Sequence, residues 1–315
     1  MITTTALPGK SPTNVTLTAH AAPLAIDKHN IEACVKWRIV RRNRIAPTDM
    51  KPVAIFRFSS DDGPGYFASF LDRHSIPWRI VKIDEGEAIP SIAEVLEDFS
   101  GLVLMGGPMS VNDELPWIPP VLSLISETIA RGQPCIGHCL GGQLMSKALG
   151  GAVTVNPVKE IGWNPVIAEN NAAAREWLGE DFVAQSTLMT FQWHGETFAL
   201  PNGATRILTG VACGNQAFVI GDSLGMQCHT EMTPAMIEEW CGDWAAENVP
   251  ASASVQRPEE MQRAIDGNLV ALRTLADRLY ARWIAGLSRL AQADSVDRDR
   301  CQIAGIEFPS GDTGI

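Results

Sequence analysis

The sequence predicts an α/β protein with a doubly wound, mostly parallel sheet and an antiparallel extension. Three observations carry that reading. From Pro52 short apolar runs alternate with helical patterns, several runs end in glycine-rich turns, and the second half changes to short strands joined by turns. Strands buried on both faces read as uninterrupted apolar runs, which is the character of Val53 to Phe58, Leu102 to Met105 and Pro134 to Gly137.

Taken in order, Val53 to Phe58 is a strand, Tyr66 to His74 a helix, Trp78 to Ile83 a strand and Ser91 to Phe99 a helix. The strand Leu102 to Met105 ends in Gly106-Gly107-Pro108. A helix over Ile118 to Ala130, the strand Pro134 to Gly137 and a glycine-bounded helix from Leu140 to Leu149 complete the alternating half. Short strands follow around Thr154, Val155, Val166, Ile167, Leu188 to Trp193, Ile207, Leu208 and Ala217 to Ile220. Leu224 to Cys228 is a further strand, then come a helix over Pro234 to Glu247 and, after Pro258, a long amphipathic helix to about Leu287.

The pattern divides the chain into an extension (1–50), a catalytic domain (51–290) and a disordered tail (291–315). Residues before Met50 have no sustained periodicity. They read either as an extension outside the fold or as sequence upstream of a start at Met50. Gly9-Lys10-Ser11 is half of a phosphate-binding loop, but Thr4 stands where the first glycine would be and no strand precedes it, so it reads as polar tail.

With 45% hydrophobic residues and nine tryptophans the chain can bury a core without disulfides or metals. The formal charge of −11 leaves one dense basic cluster, Lys36 to Arg44, so nucleic acid is not an expected partner. Seven cysteines at irregular spacing, with no cleavable apolar signal before them, point to a reducing cytoplasm. No apolar run is long enough to span a bilayer.

The segment Gly137-His138-Cys139-Leu140-Gly141-Gly142-Gln143 has the spacing of a nucleophile elbow with cysteine as nucleophile. A strand turning sharply into a helix needs glycines either side of the strained residue, and the helix N-terminus favours a thiolate. A thiol needs a base. His20 and His29 lie in the extension, His74 ends a helix poor in catalytic residue types, and the His138 side chain points to the other sheet face. His194 and His229 remain. His229 follows a strand that should lie parallel to the one before Cys139, and Glu231, two residues on, can hold its imidazole in the required tautomer. A backbone N–H from Gly106-Gly107 with that of Leu140 would form an oxyanion hole. The rival metal reading of Cys135, His138, Cys139, Cys228 and His229 fails because alternate strand residues face opposite ways, and no cofactor is expected.

These elements, in this order, resemble the class I (triad) glutamine amidotransferase family over roughly Pro52 to Leu287. Phe191 to Phe198, Pro201-Asn202-Gly203 and Asn215 to Phe218 look like stand-alone members related to the glutaminase domain of GMP synthase. The resemblance implies a flavodoxin-like doubly wound sheet and release of ammonia from glutamine through a γ-glutamyl thioester on Cys139, with His229 and Glu231. It implies an oxyanion hole at Gly107 and Leu140, and substrate contacts from Gly106, Gln143, Trp193, His194 and Gly195, with His194 shaping the pocket. Two departures stand out. Thr230 replaces the usual proline between His229 and Glu231, and Gly142 stands where many members carry a larger side chain, which predicts a wider pocket.

Three functions fit this reading: glutamine hydrolysis, hydrolysis of other γ-glutamyl amides or peptides, and a silent binding or regulatory protein of the same fold. The intact Cys139, His229 and Glu231 argue against the last. No Ser-Gly-Gly-x-Asp loop or complete phosphate-binding loop is present, and the region after residue 250 reads as one helix and a tail. Acceptor chemistry would therefore come from a separate synthetase or acceptor-activating subunit, or be missing altogether.

Overall fold

The computed structural model describes residues 50–244 and 250–303. Nine strands form one sheet in the order β2-β1-β3-β4-β9-β8-β7-β5-β6. The parallel half comprises β1 (Val53–Arg57), β2 (Trp78–Lys82), β3 (Gly101–Leu104), β4 (Cys135–His138) and β9 (Ser223–Met226). The antiparallel half adds β5 (Val153–Ala168), β6 (Thr187–Phe198), β7 (Thr205–Gly210) and β8 (Ala217–Ile220).

Alternation along β1 shows why both faces need cover. Val53 and Ile55 enter one core cluster while Ala54 and Phe56 enter the other. On the first face lie α1 (Gly65–Arg73), with Phe67 and Phe70, and a long C-terminal helix whose Leu275, Ala276, Leu279, Tyr280, Trp283 and Leu287 recur at helical spacing. The second face is covered by α2 (Ile92–Asp98), α3 (Ile118–Ala130) and α4 (Leu140–Ala148). Helix α2 starts on a capping box: Ser91 Oγ accepts from the Glu94 N–H, and the Ser91 N–H donates to Glu94 Oε2.

The second half of the chain differs from its sequence pattern in three ways. Strands β5 and β6 are 16 and 12 residues long, not short. They pair along most of their length, and a register shift between Val155 and Glu160 breaks the alternation that would have marked one continuous strand. Two unpredicted helices, α5 (Ala172–Leu178) and α6 (Glu180–Gln185), follow β5; Asn171 caps α5 by accepting from the Ala174 N–H. Each is about two turns or fewer, too short for periodicity to reveal.

After α7 (Pro234–Asp243), the C-terminal helix is also not continuous. A short α8 (Pro258–Arg263) ends before α9 (Ile265–Ile303), which runs past Leu287. Residues 291–303, assigned by sequence to the tail, are therefore helical. The N-terminal extension up to residue 49, residues 245–249 of the region read as the end of α7, and residues 304–315 lie outside the described residues. Among the described residues no helix is long and apolar enough to cross a membrane.

Candidate active site

The carboxyl ends of β1, β3, β4 and β9 meet at one edge of the sheet, where open α/β sheets place ligands. Between β4 and α4, Cys139 adopts φ 49° and ψ −107°. A non-glycine residue in this region costs about 1–3 kcal/mol and persists only where its surroundings enforce it. Here the enforcement is backbone contact. A Cβ on Gly137 would overlap Gly141, and one on Gly141 would overlap the Leu104 carbonyl at the end of β3.

Gly142 performs the matching task on the other side, because a Cβ there would strike the backbone of Met226 on β9. The first turn of α4 is thus wedged between β3 and β9. This corrects the expectation that Gly142 widens the pocket: it faces a strand, and it is absent from the cavity wall.

Strand β9 runs beside β4, with His138 opposite Met226, and carries the chain on to His229. The His229 N–H donates to the Phe191 carbonyl at 2.9 Å, which fixes the backbone of this segment to β6. Nδ1 of His229 lies 2.6 Å from Glu231 Oε1. Both side chains are almost wholly buried. Burial opposes charge on the imidazole, but the Glu231 carboxylate and the Cys139 sulfur together raise His229 well above the usual histidine value. Glu231 is likewise penalised by burial, yet His138 and His229 hold it below the ordinary glutamate value. Nε2 of His229 is buried, and the Cys139 thiol acts on the ring through both its charge and a side-chain hydrogen bond.

His138 is absent from the cavity lining, but its Nε2 reaches within 3.8 Å of Glu231 Oε2 from the core side. Its Nε2 lies 3.1 Å from the Tyr280 hydroxyl, which also lies 2.8 Å from Thr230 Oγ1. The threonine that replaces proline is therefore tied to α9. Cys135 and Cys228 are pushed up by burial and remain protonated thiols.

A cavity of about 450 Å³ opens over Cys139. Gly107, Cys139, Gln143, Trp193, His194, Gly195 and His229 line it; Gly106 and Leu140 do not, and Glu231 stands behind His229. The N–H of Leu140 belongs to the first turn of α4, where no intrahelical partner exists. Gln143 Nε2 donates to Gln227 Oε1 at 3.2 Å, and Gln227 Nε2 in turn donates to the Cys139 sulfur at 3.5 Å. Sequence reasoning missed Gln227, although its position two before His229 on an extended segment places both on one face.

His194 lines the cavity with both ring nitrogens engaged. Nδ1 is 2.9 Å from the Glu196 carbonyl and Nε2 is 3.1 Å from Glu160 Oε2. Gln216 donates to the same Glu160 oxygen at 2.7 Å. Cys213 completes a buried Glu160, His194 and Cys213 group whose donor atoms lie within 4.8 Å of one another, and its sulfur is 3.1 Å from Thr197 Oγ1. Hydrogen bonds within the protein thus account for each of these atoms.

Asp62, also missed by sequence reasoning, lines the cavity from the loop after β1. Burial pushes its carboxyl up to about 6; His229 works against that rise, while Glu231, Asp61 and Glu239 add to it. Its place after the first strand of the alternating half, where open α/β sheets bind ligands at strand carboxyl ends, was the available signal.

Comparison with known proteins agrees with this geometry. The family model described as glutamine amidotransferase class-I matches residues 71–239. A glutamine amidotransferase-like protein of Salmonella typhimurium, YfeJ, is 33% identical over 171 residues, covering 52% of this chain and 68% of that one. A GMP synthase of Paraburkholderia phytofirmans is 27% identical over 65% of this chain, and the chain spans only 44% of that protein's length. Among solved structures, a glutamine amidotransferase of Methylobacillus flagellatus shares 43% identity with a TM-score of 0.71, over 76% of this chain and 96% of the other. One from Thermotoga maritima shares 27% with a TM-score of 0.64, over 74% and 98%.

Proposed function

The chain belongs to the class I glutamine amidotransferase family, and on that premise we propose that it hydrolyses the side-chain amide of glutamine or of a related γ-glutamyl compound through Cys139. The observation that carries the proposal is the His229–Glu231 pair at 2.6 Å beside a cysteine held at positive φ on the same cavity. Cys139 attacks the amide carbonyl, and the N–H groups of Leu140 and Gly107 stabilise the developing oxyanion. His229 passes a proton to the departing nitrogen, leaving a γ-glutamyl thioester and an amine. Water, deprotonated by the same imidazole, then cleaves the thioester and restores the thiol. Glu231 keeps Nδ1 protonated and the ring oriented throughout.

Trp193, Gly195 and Gln143 bound the space for the γ-glutamyl group, while His194, with both ring nitrogens occupied, shapes that space and is not the base. No cofactor enters this scheme. The partner reading rests on the likeness to a GMP synthase, 44% of whose length this chain spans: ammonia release would serve a synthetase or acceptor-activating protein. The second reading, a hydrolase of other γ-glutamyl amides, is favoured by a cavity lined by carboxylates beyond those of the triad.

The test is turnover of purified protein against glutamine and a panel of γ-glutamyl amides. Slow glutamine hydrolysis that rises on adding a synthetase, or a better substrate within the panel, is expected. Fast saturable glutamine hydrolysis with no better substrate would make the protein a plain glutaminase, and no turnover with any compound would contradict the proposal.

A further inference from the structure

The imidazole that protonates the departing nitrogen also marks which end of the cavity receives the leaving group. Residues packed beside His229 on the cavity wall are therefore the ones that meet the amine. Asp62 is such a residue. A Cβ placed on Gly106 would lie 2.6 Å from Asp62 Oδ1 and 3.3 Å from His229 Cε1, so the carboxyl, the imidazole edge and the end of β3 meet at one point. Asp61 lines the same region, and its carbonyl accepts from Trp240 Nε1 at 3.2 Å. The Trp240 ring packs edge-on against His229 with centroids 4.9 Å apart and supplies an apolar wall. His229 lines this same cavity, and its Nε2, beside Cys139, is the atom that hands the proton to the leaving nitrogen.

Ammonia needs neither the apolar wall nor the carboxylates. A chain of methylene groups ending in an ammonium would use both, lying along Trp240 and pairing with Asp62. Building on the hydrolytic role of Cys139, we propose that Asp62 forms a leaving-group subsite that selects γ-glutamyl amides of cationic amines such as α,ω-diamines. The reaction is ordinary hydrolysis: the C–N bond breaks, the diamine leaves with a proton from His229, and water supplies the new C–O bond and the replacement proton.

Charge around Asp62 supports the choice of a cation. His229 lowers its carboxyl while Glu231, Asp61 and Glu239 add negative potential, and Lys159 and Glu196 line the same cavity from β5 and β6. Its carboxyl, pushed up to about 6 chiefly by burial, is ionised at neutral pH and gains most from a cation that replaces lost water. The preference should therefore be full above that value and fade as pH falls through it.

The experiment compares the γ-glutamyl monoamide of 1,4-diaminobutane with the uncharged γ-glutamyl n-pentylamide, using the full chain. The expected ratio of kcat/KM favours the diamine by about tenfold or more at neutral pH, and Asp62→Asn brings it to about one. Asp62→Glu should restore part of it. Binding of both compounds to the Cys139→Ala protein by calorimetry reads the same preference without chemistry. A ratio near one in the unaltered protein, or a ratio that Asp62→Asn leaves unchanged because both substrates suffer equally, would overturn the subsite. Persistent turnover by Cys139→Ala would instead overturn the nucleophile, while the binding arm would still decide the role of Asp62.

Discussion

In the parallel half of the sheet, β1, β3, β4 and β9 are only four or five residues long and buried almost throughout; in the antiparallel half, β5 and β6 extend to 16 and 12 residues with exposed and buried positions mixed. The short strands end together and deliver Gly107, Cys139 and His229 to one edge. The long arms instead curve past that edge and bring Trp193, His194 and Gly195 to the opposite wall. On the proposed reading, reaction chemistry and substrate fit reside in structurally different material. Backbones in the parallel half approach so closely that Gly137, Gly141 and Gly142 have no room for a Cβ, whereas Gly195 meets only the flexible side chain of Lys159.

If that division holds, substitutions in the two halves should separate kinetically. The largest effect is expected for Cys139→Ala, which should lower kcat by about 10⁴-fold or more with an unchanged circular dichroism spectrum. The smaller side chain fits the elbow, so loss of fold would not explain the loss of rate. Glu231→Gln should cost about 10²–10³-fold in kcat, since thiol and imidazole remain but orientation and charge are lost. It also removes the carboxylate that offsets burial at His229, so the limb of the pH–rate profile reporting imidazolium deprotonation should move to lower pH.

Asp62→Asn tests the boundary between the halves by a stability measurement. The folded carboxyl stands at about 6 against 3.8 for the unreacted reference, so the folded state binds the proton more tightly than the unfolded chain. Its ionised form thus weakens the fold above about pH 6, the penalty shrinks as pH falls, and it is gone below the unfolded value. The variant should accordingly be more stable than the natural protein at pH 7, by up to about 3 kcal/mol, with the difference closing near pH 4. Equal denaturation midpoints at both pH values would show that Asp62 is well solvated. The smallest effect is expected for Trp193→Ala, which should raise KM by about tenfold while changing kcat little. An effect mainly on kcat would mean that the antiparallel wall takes part in the chemistry.

The same contrast explains what could be read from the sequence. Each parallel strand was legible to within one or two residues; for β1, β3, β4 and β9 burial on both faces leaves an apolar run bounded by turn residues. The elbow was legible because its glycines answer a local steric demand. The pairing of His229 with Glu231 was legible because both follow one strand, two residues apart. By contrast, β5 and β6 carry a register shift and mixed exposure that blur period two, and α5 and α6 are too short to repeat. Asp62 depends on which strand ends are neighbours, and the role of Gly142 depends on which strand flanks α4. Neither is a property of the local sequence.

All of this rests on Cys139 as the atom that becomes acylated. The direct measurement is acid-quenched mass spectrometry of the protein mixed with a slowly hydrolysed γ-glutamyl amide. The expected result is a γ-glutamyl group on the peptide containing Cys139, appearing during turnover, decaying as substrate is exhausted and absent from Cys139→Ala. Turnover without any acyl-protein, or an acyl group on Cys213 in place of Cys139, would contradict the account.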